Sequence, residues 1–263
     1  MQKFISSFQN QTIKRLLQLQ EKARLRKKEK AFVVEGVREI ELALKGGFQV
    51  QELYLNPDLF PAEKGEKLLA SAAEVIHLSP EVYEKIAYRG STEGVIAVVA
   101  AKEHSLDQIK FKSKSPLILV AEAPEKPGNI GALLRTADAA AVDAVLIANP
   151  RTDLFNPNII RSSVGCVFTN QIATGSTSEI IAFLKARQIA IFGAALQASV
   201  PYHSVDLTGG CAIVVGTEAT GLSDEWLENT TQNIIIPMEG EIDSMNVSVT
   251  AGILVFEAKR QRR

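Results

Sequence analysis

The fold is decided by one stretch of the sequence, Leu117-Ile-Leu-Val-Ala-Glu-Ala-Pro-Glu-Lys-Pro-Gly-Asn-Ile-Gly-Ala-Leu-Leu-Arg135. Its first residues form a continuous apolar run, which is typical of a strand buried on both faces of a parallel sheet. Pro127-Gly128 then predicts a turn, and Asn129 is a natural N-cap for a helix over about residues 130–141. A strand that leads into a helix is the repeating unit of α/β folds.

The rest of the C-terminal half repeats this order. Further apolar strands are predicted at 144–148, 189–195, 212–215 and 233–236, and helices at 178–187 and from about 246 to 260. These strands are continuous apolar runs rather than alternating ones, which again indicates a sheet covered by helices on both faces. The sequence therefore predicts an α/β domain built on a parallel sheet.

The first hundred residues also alternate between helix and strand. Apolar spacing predicts helices at 11–30, 36–44, 62–73 and 80–87, and strands at 31–34, 50–55, 74–78 and 94–100. This alternation predicts a smaller α/β domain. Residues 101–116 are polar, rich in lysine and closed by Pro116, so we expect them to link the two domains.

Charge is uneven along the chain. The 263 residues carry a formal net charge of −1, and 46% of them are hydrophobic, which is ordinary for a globular protein with a sizeable core. Residues 1–30, however, hold nine lysines and arginines but only two acids, a local net charge of +7. Such a segment is either a surface that contacts phosphates or a solvated helix face.

Several classes of site are not expected. Cys166 and Cys211 have no CxxC spacing and are too few for a metal framework, so we expect buried, reduced thiols and no metal site. No apolar run reaches the roughly 18 residues that a membrane span requires. The start of the chain becomes polar too early for a signal peptide. These features predict a cytoplasmic protein without a membrane partner.

Three loops at predicted strand ends carry the polar residues with chemical potential. In the first, Asn129, Gly131 and Arg135 lie in or near the first turns of a helix, and Gly131 and Arg135 share a face. A guanidinium there can clamp a phosphate or stabilise a developing oxyanion. Simple capping by Asn129 and a surface ion pair of Arg135 are the alternatives.

The second loop is Gly216-Thr-Glu-Ala-Thr-Gly221. Gly216 ends a strand at a point where a flat ligand could approach the backbone closely. Glu218 could be a base, a charge partner or a capping acceptor. The loop has neither the GxGxxG pattern nor the P-loop ending, so neither nucleotide-binding motif applies, and a dinucleotide-dependent Rossmann enzyme is disfavoured.

The third loop is Ile236-Pro-Met followed by Ser244-Met-Asn-Val-Ser248. Ser244 or Asn246 can cap the last helix, whose amino end suits carboxylates or phosphates. Capping explains one of these residues, but less easily both of them together with Ser248.

Taken in order, the three loops resemble the motifs of the TrmH (SpoU) branch of the SPOUT RNA methyltransferases, over about residues 115–260. The resemblance includes Asp153-Leu-Phe-Asn-Pro and Arg161-Ser-Ser-Val-Gly165. The N-terminal part, with Phe32-Val-Val-Glu-Gly36, is similar to the L30e-like substrate-binding domain that many members carry.

The resemblance implies an L30e-like RNA substrate-binding domain at residues 1–100, a linker at 101–116, and a SPOUT domain with a deep trefoil knot at 117–263. It also implies a cytoplasmic homodimer, joined through the C-terminal domain, that transfers a methyl group from S-adenosylmethionine to a ribose 2′-hydroxyl. The RNA is expected to be 23S ribosomal RNA, with tRNA or a non-catalytic RNA-binding role as alternatives. The target nucleotide, and whether the substrate is naked RNA or an assembly intermediate, stay open.

The family's functional residues map onto named positions. The implied cofactor-binding residues are Leu196, Gly216, Ile236 and Met245, and the implied catalytic residues are Asn129, Arg135, Glu218, Ser244 and Asn246. The chain departs from the family pattern at Thr217, where many members have Asn, and at Ala140-Ala141, which replaces an aromatic-Gly pair. Either Arg135 or Glu218 handles the 2′-hydroxyl proton.

Overall fold

The computed structural model of the chain describes residues 3–60, 65–88, 93–217, 219–241 and 244–263. It divides into two compact units. The first consists of Met1–Glu103 with Asp153–Thr169, and the second of His104–Thr152 with Asn170–Arg263. The domain boundaries that the sequence suggests stay a prediction.

The strands and helices follow each other along the chain. The strands within the described ranges are β1 (Lys3–Ile5), β2 (Ala31–Glu35), β3 (Val50–Leu55), β4 (Ala72–Leu78), β5 (Val95–Ala100), β6 (Leu117–Glu122), β7 (Ala144–Ala148), β8 (Ile172–Gly175), β9 (Ala190–Ala194), β10 (Ser199–Pro201), β11 (Cys211–Val215) and β12 (Gln232–Ile235). The α-helices there are α1 (Gln11–Glu21), α2 (Ala23–Glu29), α3 (Val37–Lys45), α4 (Gly65–Ser71), α5 (Pro80–Ile86), α6 (Pro127–Ala139), α7 (Pro157–Ser162), α8 (Thr177–Ala186), α9 (Asp224–Leu227) and α10 (Val247–Gln261).

In the first unit, five strands form a mixed sheet in the order β1-β4-β3-β5-β2. Strand β4 pairs in parallel with β1 and β3, whereas β5 pairs antiparallel with β2 and β3. The predicted small α/β domain is present. The short strand β1 was not predicted, and part of the helix predicted at 62–73 lies outside the described residues.

The single basic helix predicted over residues 11–30 is two helices. Asn10 caps α1 by accepting from the Thr12 amide at 2.9 Å. Lys22 is extended, with φ −108° and ψ 104°, and breaks the helix. The reason is the buried Arg26, whose Nη1 donates to the carbonyls of Leu19 (2.7 Å) and Gln20 (2.9 Å) at the end of α1.

Residues 153–169 belong to the core of the first unit. The Asp153 carboxylate pairs with Nε of Arg26, which is 4% exposed. The ring of Phe155 stacks on Phe32, with centroids 4.1 Å apart, and Phe168 contacts the same ring. This segment also forms α7, a helix that the sequence did not predict.

In the second unit, all seven strands are parallel, in the order β10-β12-β9-β11-β6-β7-β8. The central strands β6 and β11 are buried along their whole length, which confirms the parallel sheet that their continuous apolar runs predicted. The edge strands β8 and β10 were not predicted.

The predicted cap of α6 was wrong. The helix begins at Pro127, with Lys126 at the N-cap, so Asn129 lies inside the first turn. Proline is favoured at the first helical position because its missing N–H would have no partner there.

The two cysteines are free thiols, Cys211 buried and Cys166 partly buried. Burial raises the pKa of the Cys211 thiol, so the thiol stays protonated at neutral pH. Within the described ranges, no group of three or more His, Cys, Asp and Glu side chains is placed to hold a metal ion. None of the described helices is both long and apolar enough to cross a bilayer.

Substitution of Asp153 tests the role of residues 153–169 in the first unit. Removing one partner of a buried ion pair costs about 3–5 kcal/mol, and because Asp153 is 24% exposed we expect Asp153→Asn to cost about 2 kcal/mol. Urea unfolding measures this change. Glu125→Gln, which breaks the exposed pair with Arg151, is the control and should cost under about 1 kcal/mol. Equal effects of the two substitutions would contradict the role assigned to Asp153.

Candidate active site

The site lies at one edge of the parallel sheet. Strands β6, β11, β9 and β12 are consecutive neighbours and run in the same direction, so their carboxyl ends meet at that edge. Loops at such an edge are where open α/β sheets bind ligands. The three loops singled out in the sequence follow β6, β11 and β12.

A cavity of about 360 Å³ opens at this edge. It is lined by the residues that follow β9, β11 and β12 and by the start of α10. All four residues expected to bind the cofactor, Leu196, Gly216, Ile236 and Met245, line it, and so does Ser244. The walls combine aliphatic and thioether side chains with exposed loop backbone, which suits a ligand with flat and polar parts.

Gly216 allows two backbone segments of the cavity wall to lie in close contact. A Cβ at this position would lie 2.2 Å from the carbonyl carbon of Gly221, so only glycine fits without a shift of the backbone. Directly after it, Thr217 and Gly221 exchange two backbone hydrogen bonds of 3.0 and 3.2 Å, which fold the loop back on itself.

Thr217, which departs from the family pattern, closes this loop further. Its hydroxyl oxygen accepts from the Thr220 amide at 3.1 Å and contacts the Thr220 hydroxyl at 2.8 Å. The threonine therefore stabilises its own turn. Glu218, the expected catalytic carboxylate of this loop, lies outside the described residues.

The first and third loops meet through two asparagines. The Asn246 side chain donates from Nδ2 to Oδ1 of Asn129 at 3.2 Å. Its own Oδ1 accepts from the amide and hydroxyl of Ser248, at 2.9 and 2.6 Å, so Asn246 is the N-cap of α10. The structure thus brings together two of the five expected catalytic residues, and it explains why Ser248 accompanies them.

Arg135 stands apart from this pair. It lies on the exposed surface of α6, six residues after Asn129, or roughly 9 Å farther along the helix axis at 1.5 Å per residue. It makes no hydrogen bond or ion pair with the residues that the structure describes. Its guanidinium is therefore available to a bound phosphate or to a second chain.

Glu122, which no sequence pattern indicated, organises the loops around the site. This carboxylate ends β6 and is 6% exposed. It accepts from the Ser223 amide (2.9 Å), from the Ser223 hydroxyl (2.6 Å) and more weakly from the Thr177 hydroxyl (3.4 Å). It thereby fixes the end of the Gly216–Gly221 loop and the start of α8. The sequence shows it only as a lone acid at the end of an apolar run.

Two family models match the chain. The SpoU rRNA Methylase family covers residues 116–256, and the MRM3-like substrate binding domain covers residues 10–97. The second match falls where the sequence predicted a substrate-binding domain.

Relatives match along nearly the whole length. The chain is 30% identical to the 23S rRNA (guanosine(2553)-2′-O)-methyltransferase RlmP of Bacillus subtilis (strain 168), over 98% of this chain and 99% of the relative. Among solved structures, an RNA 2′-O ribose methyltransferase is 37% identical, with a TM-score of 0.85 over 98% of this chain and 99% of the other.

A cofactor-bound neighbour is also similar. The AdoMet-bound rRNA methyltransferase from Sinorhizobium meliloti is 25% identical, with a TM-score of 0.89 over 98% of this chain and 97% of the other. The resemblance found in the three loops is thus confirmed. The chain belongs to the SpoU rRNA methylase family.

Proposed function

We propose that the protein transfers a methyl group from S-adenosylmethionine to a ribose 2′-hydroxyl of 23S ribosomal RNA. The observation that carries this proposal is the cavity at the carboxyl edge of the parallel sheet, in a chain whose full-length relative is named for this reaction. Ribosomal RNA is favoured over tRNA because that relative aligns over both units, including the part matched by the substrate-binding family model.

The residues of the cavity fit the cofactor. Gly216 lets its backbone pack against Gly221 and so shapes the loop that lines the cavity, and Ile236 and Met245 provide apolar walls. We assign cofactor binding to these residues and to Leu196. When bound, S-adenosylmethionine supplies a methyl group on a sulfonium, which is already a good leaving group, so positioning of the ribose accounts for much of the catalysis.

The polar residues near the cavity then orient the ribose and its proton. The Asn129–Asn246 pair is fixed by the cap of α10 and offers amide groups beside the first turn of α6. An arginine guanidinium carries only donors, so we assign to Arg135 the binding of a phosphate or of the developing 2′-oxyanion. Glu218 is the carboxylate proposed to accept the 2′-hydroxyl proton. Ser244, from the third loop, is proposed to help orient the ribose.

RNA binding is proposed for the basic face of α1 and α2. Not all of its charges face solvent, because Arg15 pairs with Glu29 and Glu52, and Arg26 is buried. The exposed cations of this segment are Lys22, Arg24, Lys27, Lys28 and Lys30, of which Lys30 lies 3.8 Å from a carboxylate oxygen of Glu103. A cluster of exposed cations is the electrostatic footprint of a phosphate-contacting surface, and we propose residues 1–100 as the substrate-binding domain.

A homodimer is proposed through the C-terminal domain. Helix α10 leaves Val249 and Phe256 50% and 47% exposed, an apolar surface that a second copy could cover. Since α10 packs against α6, which carries Arg135, a partner seated there would lie close to the catalytic residues.

We also propose the trefoil knot, residues 117–263 as the catalytic domain, and action in the cytoplasm, where ribosomal RNA is found.

Methylation of ribosomal RNA is the direct test. Purified protein with radiolabelled S-adenosylmethionine should label 23S RNA from cells that lack the gene, and should label tRNA from the same cells far less. Mapping of 2′-O-methyl sites then identifies the nucleotide. No labelling of any RNA, and no site lost in the deleted strain, would exclude the proposed activity.

Arg135→Ala should lower the methylation rate by at least about 100-fold, the scale seen when one transition-state donor is removed, while cofactor affinity changes less than about twofold. Single-turnover methylation and calorimetry measure the two effects. Arg187→Ala is the matched control and should retain activity, because Arg187 follows α8 and lies at the amino end of β9, away from the carboxyl ends of the strands. Loss of cofactor binding in Arg135→Ala would indicate a structural role.

Gly216→Ala should weaken cofactor binding at least about tenfold, because the added Cβ meets the Gly221 carbonyl. Gly209→Ala adds the same methyl group where no atom lies within 4 Å, and should bind normally. Calorimetric titration with S-adenosylmethionine compares the two. Equal affinities of the two variants for S-adenosylmethionine would show that the cofactor does not bind in this cavity.

A further inference from the structure

A second cavity, of about 260 Å³, lies in the first unit, and the proposed methyl transfer does not use it. All of its lining residues belong to that unit, including three carboxylates (Glu35, Glu39 and Glu93) and the side chains of Tyr88 and Arg161. Arg161 comes from residues 153–169, a part of the family resemblance for which the reaction gives no role.

Backbone amides hold two of the carboxylates in place. Glu93 accepts from the Val37 amide at 2.7 Å, at the start of α3, and Glu35 accepts from the Tyr88 amide at 2.9 Å. Fixed carboxylates lose little freedom when a ligand binds to them, which favours affinity.

Glycine leaves an opening between Glu39 and Glu93. A Cβ on Gly36, whose φ is +98°, would lie 2.8 Å from Oε2 of Glu39 and 3.9 Å from Oε2 of Glu93. Two carboxylate oxygens therefore converge on one point. Burial, with the nearby charge of Glu93 as a smaller cause, raises the pKa of Glu39. A ligand that donates hydrogen bonds would offset this cost of desolvation.

A stacked pair of side chains lines another part of the cavity. The Arg161 guanidinium lies 4.6 Å from the centre of the Tyr88 ring. Asn158 Oδ1 accepts from both partners, from the Tyr88 hydroxyl at 3.1 Å and from Arg161 Nη2 at 3.4 Å. The pair is thus preorganised, and it offers planar surfaces.

These features specify the chemistry of the ligand. Carboxylates require N–H or O–H donors, and the planar pair suits a flat ring. Arg161 offsets part of the negative charge of the three carboxylates, so the cavity accepts neutral hydrogen-bond donors as well as cations. The cavity is smaller than the roughly 300–1,000 Å³ of sites for drug-sized molecules, so it suits one ring system. Unstacked bases of single-stranded RNA combine these properties, and the Watson–Crick edge of guanine presents two adjacent N–H donors.

We propose that this cavity receives an unstacked guanine of the RNA substrate, with its N–H edge on Glu39 and Glu93 and its face on Arg161. The inference rests on the proposed function in that the ligand is RNA. Under this proposal the first unit recognises the RNA sequence as well as binding phosphates. Contacts to bases provide sequence specificity, whereas contacts to phosphates fix the position of the RNA.

Nucleoside binding to the full-length protein tests the proposal. Guanosine, adenosine, cytidine and uridine are titrated by saturation-transfer NMR, with excess S-adenosylhomocysteine so that nucleosides do not enter the cofactor cavity. Guanosine should bind at least tenfold more tightly than the other three. Glu39→Gln should weaken guanosine binding about tenfold, within the range for a bidentate contact to a base, and Arg161→Lys should weaken it severalfold because the plane is lost.

Glu41→Gln is the matched control, because it removes an exposed carboxylate from the same helix, and it should bind guanosine normally. Unfolding midpoints in urea establish that all variants are folded. With RNA as substrate, Glu39→Gln should raise KM for RNA about tenfold and leave cofactor affinity unchanged.

Two results would overturn the proposal: guanosine binding that is equal in wild type and Glu39→Gln, or tighter binding of argininamide than of guanosine, which would indicate a basic protein side chain instead. Its failure is distinguishable from that of the proposed function. Methylation without guanosine binding would overturn only the guanine site, whereas guanosine binding that depends on Glu39 without any methylation would overturn only the reaction.

Discussion

The parallel pairing of β6 with β11 is the constraint on which the site depends. Five consecutive residue pairs join these central strands, and both are buried along their length. Because neighbours on either side run the same way, every loop that leaves the carboxyl end of a strand reaches the same edge. Glu122 and Ser223, 101 residues apart in sequence, thus come into contact.

At that edge, small residues and fixed polar atoms have complementary roles. Gly216 lets two backbone segments touch, and the buried Glu122 anchors the far end of the same loop through Ser223. A buried carboxylate is stable only when donors satisfy it, so the loop geometry and the charge depend on each other. The Asn129–Asn246 bond then connects the first turn of α6 to the start of the last helix.

The sequence predicted the elements whose own apolar pattern shows that they are buried. Continuous apolar runs located β6, β7, β9, β11 and β12, because such strands have both faces covered. It failed where tertiary contacts decide. The break at Lys22 follows from the insertion of Arg26 into the end of α1, and the two-turn helix α7 and the edge strands β8 and β10 are too short to show a period.

For the candidate site, the order of the motifs identified the loops, but not their bonding. Periodicity cannot show that Asn246 donates to Asn129, or that Glu122 is buried, since both depend on contacts more than 100 residues apart. The placement of Asn129 as a cap failed because Pro127 takes the first helical position. The second cavity had no sequence signal, because its carboxylates come from β2, from α3 and from the residues before β5.

The membership of residues 153–169 in the first unit has a consequence for how the protein is made. The chain passes between the units three times, so the N-terminal unit is not one continuous piece of polypeptide. Arg26 leaves the ribosome 127 residues before its partner Asp153. The N-terminal unit therefore cannot complete its aromatic core until more than half of the protein has been synthesised. Any recombination that exchanged residues 1–103 alone for another domain would leave Phe155 and Phe168 without the rings on which they pack.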